Sequence, residues 1–494
     1  MFESAELGHV IDKEQYGKEE PALREALLNA QYDLLQSKRF PVIILVSGVD
    51  GAGKGETVNL LHEWMDPRHI ETHAFDVEGA EAEGQRPAFY RFWRALPPKG
   101  KIGIFFTSWY TDPILERVWR RSADIELDLR MEQNRRFERM LAAEGALILK
   151  FWFHLSKDKQ RERLRRLESK ERTRFRVTTG DWKNFKSYDR FRKISERVLR
   201  QTSTAEAPWI VVEGTDARYR SLTVGKAIEG ALRGRLDEPA QKTSASHAPP
   251  FIAPVDGVHL INRLDLSLKT PKENYARQLE KLQRRIALLS RHPRYARIGS
   301  MAVFEGSDAA GKGGAIRRLA SALDARQYHT YAIAAPTEEE RAQPYLWRFW
   351  RHVPRRGKLA VFDRSWYGRV LVERVEGFCS ESDWMRAYAE INDFEEQLFE
   401  HGIVVSKFWL QISADEQLRR FKQREATSFK RFKITEDDWR NREKAAAYED
   451  AVRDMVDRTS TEIAPWALIE AEDKYHARLK VLHTYAERVE KALG

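Results

Sequence analysis

The chain has a single cysteine, Cys379, in 494 residues. That excludes an internal disulfide and any zinc site built on paired thiolates, and it fits a reducing compartment. Long apolar runs are missing too. The longest aliphatic stretch, VIILV from Val42 to Val46, is the length of a strand and far short of the ~18 residues that cross a bilayer. The first residues, MFESAELGHVIDKEQYGKEE, lack the charged-then-apolar pattern of a secretory leader, so a cytoplasmic protein with no membrane contact is expected. The last shortage is one hydroxyl. In AVFEGSDAAGKGG (302–314) the spacing Gly306-x4-Gly311-Lys312 frames a phosphate-binding loop, yet the Ser or Thr that normally follows the lysine and holds magnesium is replaced by Gly313.

The residues that are present read as globular and rather polar, with 42% hydrophobic and 32% charged. A formal net charge of +10 suggests a polyanionic partner, either nucleic acid or a polymeric phosphate, although a basic surface that only aids solubility is also served by it. The chain repeats itself. RFW occurs at Arg91 and Arg348, SWY at Ser108 and Ser365, KFW at Lys150 and Lys407, and TST followed by APW at Thr202 and Thr459, each pair offset by 257 residues. The glycine loops, Gly48 and Gly306, are offset by 258. So constant an offset means two copies of one fold. Copy one is placed at 1–236 and copy two at 263–494, with a Pro-, Ser- and Ala-rich linker over 237–262. In each copy a helical stretch precedes a short apolar strand (PVIILV, SMAVF) that runs into the loop, and further apolar segments alternate with helical ones. That order predicts α/β domains, each a parallel sheet flanked by helices, with the working groups at the carboxyl ends of the strands.

A loop of this kind works because small residues let backbone N–H groups turn toward phosphate oxygens at a helix start. The candidate cradle is Gly306, Ser307, Ala309, Ala310, Gly311, Lys312, Gly313 and Gly314, with Lys312 as the mobile cation. A tight strand-to-helix turn needs glycines as well; two copies, each after an apolar strand, favour phosphate. For the missing hydroxyl two carboxylates are available: Asp308 inside the loop and Asp363 at the end of the strand in VFDRSWYGR. Magnesium is commonly held by one or two carboxylates plus substrate phosphates, so these two are the expected metal ligands. Arg364 and Arg369 follow on a strand-to-helix turn, with Glu373 and Arg374 just beyond, and phosphoryl transfer needs such charge neutralisation more than it needs a nucleophile.

Five blocks in order, GSDAAGKGG (306–314), YLWRFWRHVP (345–354), FDRSWYGRVLVERVEGF (362–378), RTSTEIAPW (458–466) and DKYHAR (473–478), resemble the family-2 polyphosphate kinases, and the duplication resembles the family's fused two-domain members. The resemblance implies tandem P-loop kinase domains of thymidylate-kinase-like fold, each with a helical lid. It implies transfer of a terminal phosphoryl group from inorganic polyphosphate to AMP, giving ADP, with Mg2+. Asp308 and Asp363 then match metal-binding acids, Lys312, Arg364 and Arg369 match phosphate-gripping positions, and Glu373 falls on an acidic position of the same motif. Arg424, Lys430 and Arg431 are lid candidates. The competing readings are phosphorylation of ADP to ATP by polyphosphate, an ATP-dependent nucleotide kinase, and a basic nucleic-acid-binding P-loop protein. No recognised nucleic-acid module appears, so no nucleic-acid partner is expected; a homo-oligomer is compatible with the sequence.

Copy one keeps Asp50, Gly53 and Lys54 of its loop, but Asp363, Arg364 and Arg369 align with Phe106, Thr107 and Asp112, and Gly314 aligns with Glu56. An inactive first copy is expected. Residues 156–200 nevertheless carry 17 Lys and Arg against 7 Asp and Glu, while the matching 413–457 carry 11 against 11. The first copy is expected either to hold the polyphosphate chain or to cover an apolar face as a second subunit would.

Overall fold

The apolar run before each glycine loop becomes the central strand of a parallel sheet, and burial on both faces explains why it contains almost no polar residue. The computed structural model describes residues 1–75, 84–239, 259–428 and 436–494. In the first sheet β1 (Val42–Gly48), β2 (Ile70–His73), β3 (Ile102–Phe105), β4 (Leu147–His154) and β5 (Trp209–Glu213) run in the order β2-β3-β1-β4-β5. In the second, β6 (Gly299–Gly306), β7 (Tyr328–Ala332), β8 (Leu359–Asp363), β9 (Ile403–Gln411) and β10 (Trp466–Glu470) repeat that order as β7-β8-β6-β9-β10. Every pairing is parallel. The expected α/β architecture is present twice.

The helices that open and close each copy cover one face of its sheet. In the first, Lys13–Ser37 and Ala217–Asp237 send Leu27, Leu34, Ile228 and Leu232 into a core with Val42, Ile44 and Val46. In the second, Lys272–Leu289 and Lys474–Leu493 place Ile286, Leu482, Tyr485 and Val489 against Ala302 and Phe304. The chain divides into two units, Met1–Ala82 with Arg91–Gln241 and Pro336–Arg348, and Glu83–Tyr90 with Lys242–Ala335 and Phe349–Gly494. Within the first unit the Lys99 amide donates to the Ala342 carbonyl at 2.9 Å, and within the second Arg86 donates to the Val353 carbonyl at 2.9 Å. A cut at the linker would remove such bonds, so the full chain is the folding entity to test. Among the described residues, no helix is long and apolar enough to cross a membrane.

The motifs that mark the repeat meet in one buried network per copy. Lys407, fully buried on β9, donates to Glu395 at 2.7 Å, to the Tyr367 hydroxyl at 2.8 Å and to the Thr459 carbonyl at 2.7 Å. Trp366 and Tyr367 also donate to Glu395, and Trp466 donates to the Thr459 hydroxyl. Lys150, Glu138, Trp109, Tyr110, Thr202 and Trp209 repeat the arrangement in copy one. SWY, KFW and TST-APW therefore hold a buried charge pair with its hydrogen bonds, which both copies need whether or not they do chemistry.

Gly306 and Gly48 end the central strands under a steric demand. Gly306 has φ +146°, and a Cβ there would stand 2.4 Å from the Leu410 carbonyl oxygen; at Gly48 the Phe153 carbonyl would be 2.0 Å away. Neither neighbour is a side chain able to swing aside. Gly306→Ala is expected to destabilise the second unit by roughly 3 kcal/mol or more, from backbone strain plus the clash. Gly313→Ala, where the new methyl meets nothing within 4 Å, is the control and should be neutral or slightly stabilising. Thermal melts of the two full-length variants decide it.

Candidate active site

The loop after β6 leaves most of its amides without a backbone partner among the described residues. The helix Lys312–Ala320 starts on Gly311 in the left-handed region, and Ala309 is also left-handed with φ +63°. Ser307 N–H is spent on the Leu410 carbonyl and Ala310 N–H on the Ser307 carbonyl. Among the described residues, the N–H groups of Asp308, Ala309, Gly311, Lys312 and Gly313 donate to no backbone carbonyl. Five unspent donors at a helix start make an anion cradle. Lys312 curls back to donate to the Gly306 carbonyl at 2.6 Å, which holds its ammonium at the mouth of the loop.

Sheet register brings the second acidic residue to the loop. Phe304 of β6 pairs with Asp363 of β8, so the carboxyl end of β8 stands beside the last residues of β6. Arg364 leaves that strand with φ +66° and approaches Asp308 at 3.4 Å. Arg369 pairs with Glu373 at 2.7 Å, so those two expected site residues form one ion pair. Arg374 instead binds Asp454 at 2.8 Å and the Tyr388 hydroxyl at 3.0 Å, and lies over Trp384, a packing arrangement. Arg424 is half-buried in the last turn of the helix Ala414–Glu425. Lys430 and Arg431 lie outside the described residues. Burial pushes the Cys379 thiol up to about 12, which leaves it a poor nucleophile at neutral pH.

Five residues that sequence reasoning did not single out complete the site. Glu305, the strand residue before Gly306, is buried and accepts from the Ser365 hydroxyl at 2.8 Å. Arg420 is buried and donates to the carbonyls of Ala309 and Ala310, both at 3.0 Å, and of Ala471 and Glu472, which clamps the loop from behind. Asn441 donates to Asp308 at 2.9 Å from the helix Glu436–Glu443, and Gln417 donates to the Asp308 carbonyl at 3.3 Å. The helices Ala414–Glu425 and Glu436–Glu443 thus both reach the loop, as a lid would. Arg478 lies against Gly314, its guanidinium 3.3 Å from where a Cβ would be. The signal for Asn441 and Gln417 was the repeat itself: Asn184 and Gln160, at the same offset of 257, make the same bonds to Asp50.

Burial raises the Glu305 carboxyl above its ordinary value, partly offset by Lys312 and Arg364. A carboxyl raised on folding stabilises the fold while protonated and loses that contribution as pH rises through its folded value. Glu305→Gln should therefore raise the melting temperature of the substrate-free chain at pH 8 and change it little at about pH 4, below the ordinary carboxyl value, where the group is protonated in both states. A lower melting temperature at pH 8 would mean that pairing with Lys312 outweighs burial.

Two carboxylates and an anion cradle fit a magnesium ion that completes its shell with substrate phosphates and water. Among the described residues, no cluster of three or more His, Cys, Asp or Glu side chains could hold a metal without such help.

The corresponding place in copy one is closed by its own residues. Glu56 binds Arg220 at 2.9 Å and Arg163 at 2.8 Å, with Arg176 at 3.6 Å. Arg220 is buried directly against Gly53, where a Cβ would be 2.2 Å from its guanidinium carbon. Arg163, the counterpart of the loop-clamping Arg420, has turned to Glu56. Phe106 stands in the place of Asp363 and packs on the apolar core, and Asp112, in the place of Arg369, pairs with Arg91 at 2.5 Å.

The polyphosphate kinase 2 family model matches residues 10–239 and again 269–493. The chain is 56% identical to the polyphosphate:AMP phosphotransferase of Pseudomonas aeruginosa PAO1 over 492 residues, covering 100% of this chain and 99% of that protein. It is 38% identical to the polyphosphate:AMP phosphotransferase of Acinetobacter johnsonii, with 94% of each covered. The structure is similar to a crystal structure described as a polyphosphate kinase 2 from Pseudomonas aeruginosa PA01, with a TM-score of 0.89, 55% identity, and 100% of this chain and 99% of that one covered.

Proposed function

The chain belongs to the polyphosphate kinase 2 family, and from that premise we propose that it transfers the terminal phosphoryl group of inorganic polyphosphate to AMP, giving ADP. The observation that carries this reading is end-to-end likeness to a polyphosphate:AMP phosphotransferase, which extends through both copies. The loop amides and Lys312 receive the donor's terminal phosphates, and Arg364 and Arg369 neutralise charge on the transferring oxygens. Asp308 and Asp363 are the residues that would hold Mg2+, which supplies further charge neutralisation when bound. Arg420 keeps the loop in shape, and Arg478 faces its helix start as an additional phosphate-directed cation. Asn441 orients Asp308 from the lid. The reaction asks for positioning and electrostatics rather than a covalent intermediate, and the residues named supply both.

The C-terminal copy is the catalytic one. In the N-terminal copy the Glu56 carboxylate already occupies the arginines that would meet a phosphate, so that copy is inactive.

The test mixes the full chain with Mg2+, long-chain polyphosphate and AMP and follows ADP. Formation of ADP supports donor and acceptor together. ADP formed only when ATP replaces polyphosphate would make the protein an ordinary nucleotide kinase. ATP formed from ADP and polyphosphate, with AMP inert, would leave the site in place and change the acceptor.

A further inference from the structure

The net charge of residues 156–200, seventeen cations less seven anions, equals the formal +10 of the whole chain, so the remaining residues are balanced. The structure shows which of these cations are spent. Arg163 binds Glu56, Lys157 binds Asp189, Lys159 binds Glu162, Arg161 binds Asp158, Arg197 binds Asp128 and Arg200 binds Glu196. Arg165, Arg166, Lys170, Arg172, Arg174 and Lys183 are exposed and have no acidic partner among the described residues. They follow one another from the last turn of the helix Lys157–Glu168, through the turn Arg174–Arg176, to the helix Thr179–Lys186. Thr173 ties the turn to the Leu167 carbonyl at 2.8 Å, and Trp182 reaches Glu168 at 3.4 Å, so the three pieces form one surface.

Like charges held together without partners repel one another and cost stability, so such a cluster needs an external anion to explain it. The loop beneath does not provide that anion's seat, because Glu56 has taken its arginines. We infer that this surface is a second, non-catalytic binding site for inorganic polyphosphate, which holds the donor chain on the protein outside either phosphate loop. The inference rests on the polyphosphate reading above. Polyphosphate carries one charge per phosphoryl unit and no bases, and the surface offers cations with one exposed aromatic, Phe175, while Trp182 and Phe185 are half-buried and pack edge to face on each other. A single-stranded nucleic acid would call for a row of stacking side chains. A donor held on the same chain raises its local concentration for the catalytic loop.

The test uses the full chain with Lys312→Ala, which cripples the catalytic loop, and measures retention of labelled long-chain polyphosphate on native gels across a salt series. Retention is expected to persist. Adding Arg165→Gln, Arg166→Gln, Arg172→Gln and Arg174→Gln is expected to weaken it roughly tenfold or more and to flatten its salt dependence. With Lys312 intact, the same four substitutions should raise the KM for long-chain polyphosphate roughly fivefold at low salt and leave kcat unchanged. A thermal melt matching the parent shows that the fold is kept. Retention that the four arginine substitutions leave unchanged in the Lys312→Ala background overturns the inference. So does equal competition by poly(U) RNA at matched charge, which would make this a nucleic-acid surface. If the unsubstituted chain forms no ADP from polyphosphate and AMP, the proposed reaction fails, while the retention assay, which needs no turnover, still decides this site.

Discussion

Asp363→Asn is expected to lower ADP formation from polyphosphate and AMP by roughly a thousandfold or more, with the melting temperature kept within ~2 °C of the parent. The size follows from the role. Removing one preorganised group that meets developing charge in a phosphoryl or acyl transfer typically costs two to three orders of magnitude, and a carboxylate that also holds a metal costs at least as much. The fold should not notice, because what β8 contributes at this position is backbone: the Asp363 carbonyl accepts from Ile333 N–H at 3.0 Å, and the next residue's N–H donates to the Phe304 carbonyl at 3.0 Å. Asparagine preserves shape and removes charge. A variant with more than about a tenth of parental kcat would remove Asp363 from the proposed machinery. The converse change, Phe106→Asp in copy one, should create no activity, because Thr107, Asp112 and the Glu56 cluster remain.

Lys407→Met should cost about 3–5 kcal/mol of stability and lower the melting transition of the second unit by roughly 10 °C, since it strands the buried Glu395 carboxylate. Desolvation pulls the Lys407 ammonium below its ordinary value, opposed by Glu395, so the pair is held together by geometry as well as charge. Lys407→Met combined with Glu395→Gln should recover much of the loss, because an uncharged site no longer needs a counter-ion. Calorimetry on the full chain distinguishes the cases. If the single and double variants melt alike, the cost belongs to lost packing and not to an unpaired charge. Lys150→Met should act in the same way on the first unit, where the bonds are the same.

These two results would separate what the duplication preserved from what it discarded. SWY, KFW and TST-APW recur because each copy must satisfy a buried ion pair, and that requirement does not depend on catalysis. Asp363, Arg364 and Arg369 are replaced by Phe106, Thr107 and Asp112, as the proposed inactivity of the first copy allows. From sequence, the recurring blocks looked like family signatures; in the structure they are the wall behind the site, while the residues proposed to act stand between them.

The fold was legible because it rests on local patterns. Apolar runs of strand length, glycines at the strand ends and helices of regular period dictate an alternating parallel architecture with little ambiguity, and duplication doubled the signal. The loop with its amides and Lys312 was legible for the same reason, since nine consecutive residues carry it. Asp363 was legible as a strand end, and the register with Phe304 is what brings it to the loop.

Glu305, Arg420 and Arg478 were not legible, and Asn441 and Gln417 carried no signal beyond the repeat with Asn184 and Gln160. Arg420 meets the loop across more than 100 residues of chain, and no short-range rule tells which face of a lid helix turns inward. The same holds for Glu56: its presence in the first loop could be read, but the turning of Arg163 and Arg220 onto it could not. Backbone geometry is decided within a few residues by sterics and hydrogen bonding, so the sequence by itself determined the two sheets, the two loops and the loss of acid and arginine in the first. Side-chain partnership is decided by which distant segments pack together and by the need of every buried charge for a counter-ion. That is why only the tertiary structure decided how the second loop is clamped and how the first one is filled by its own carboxylate.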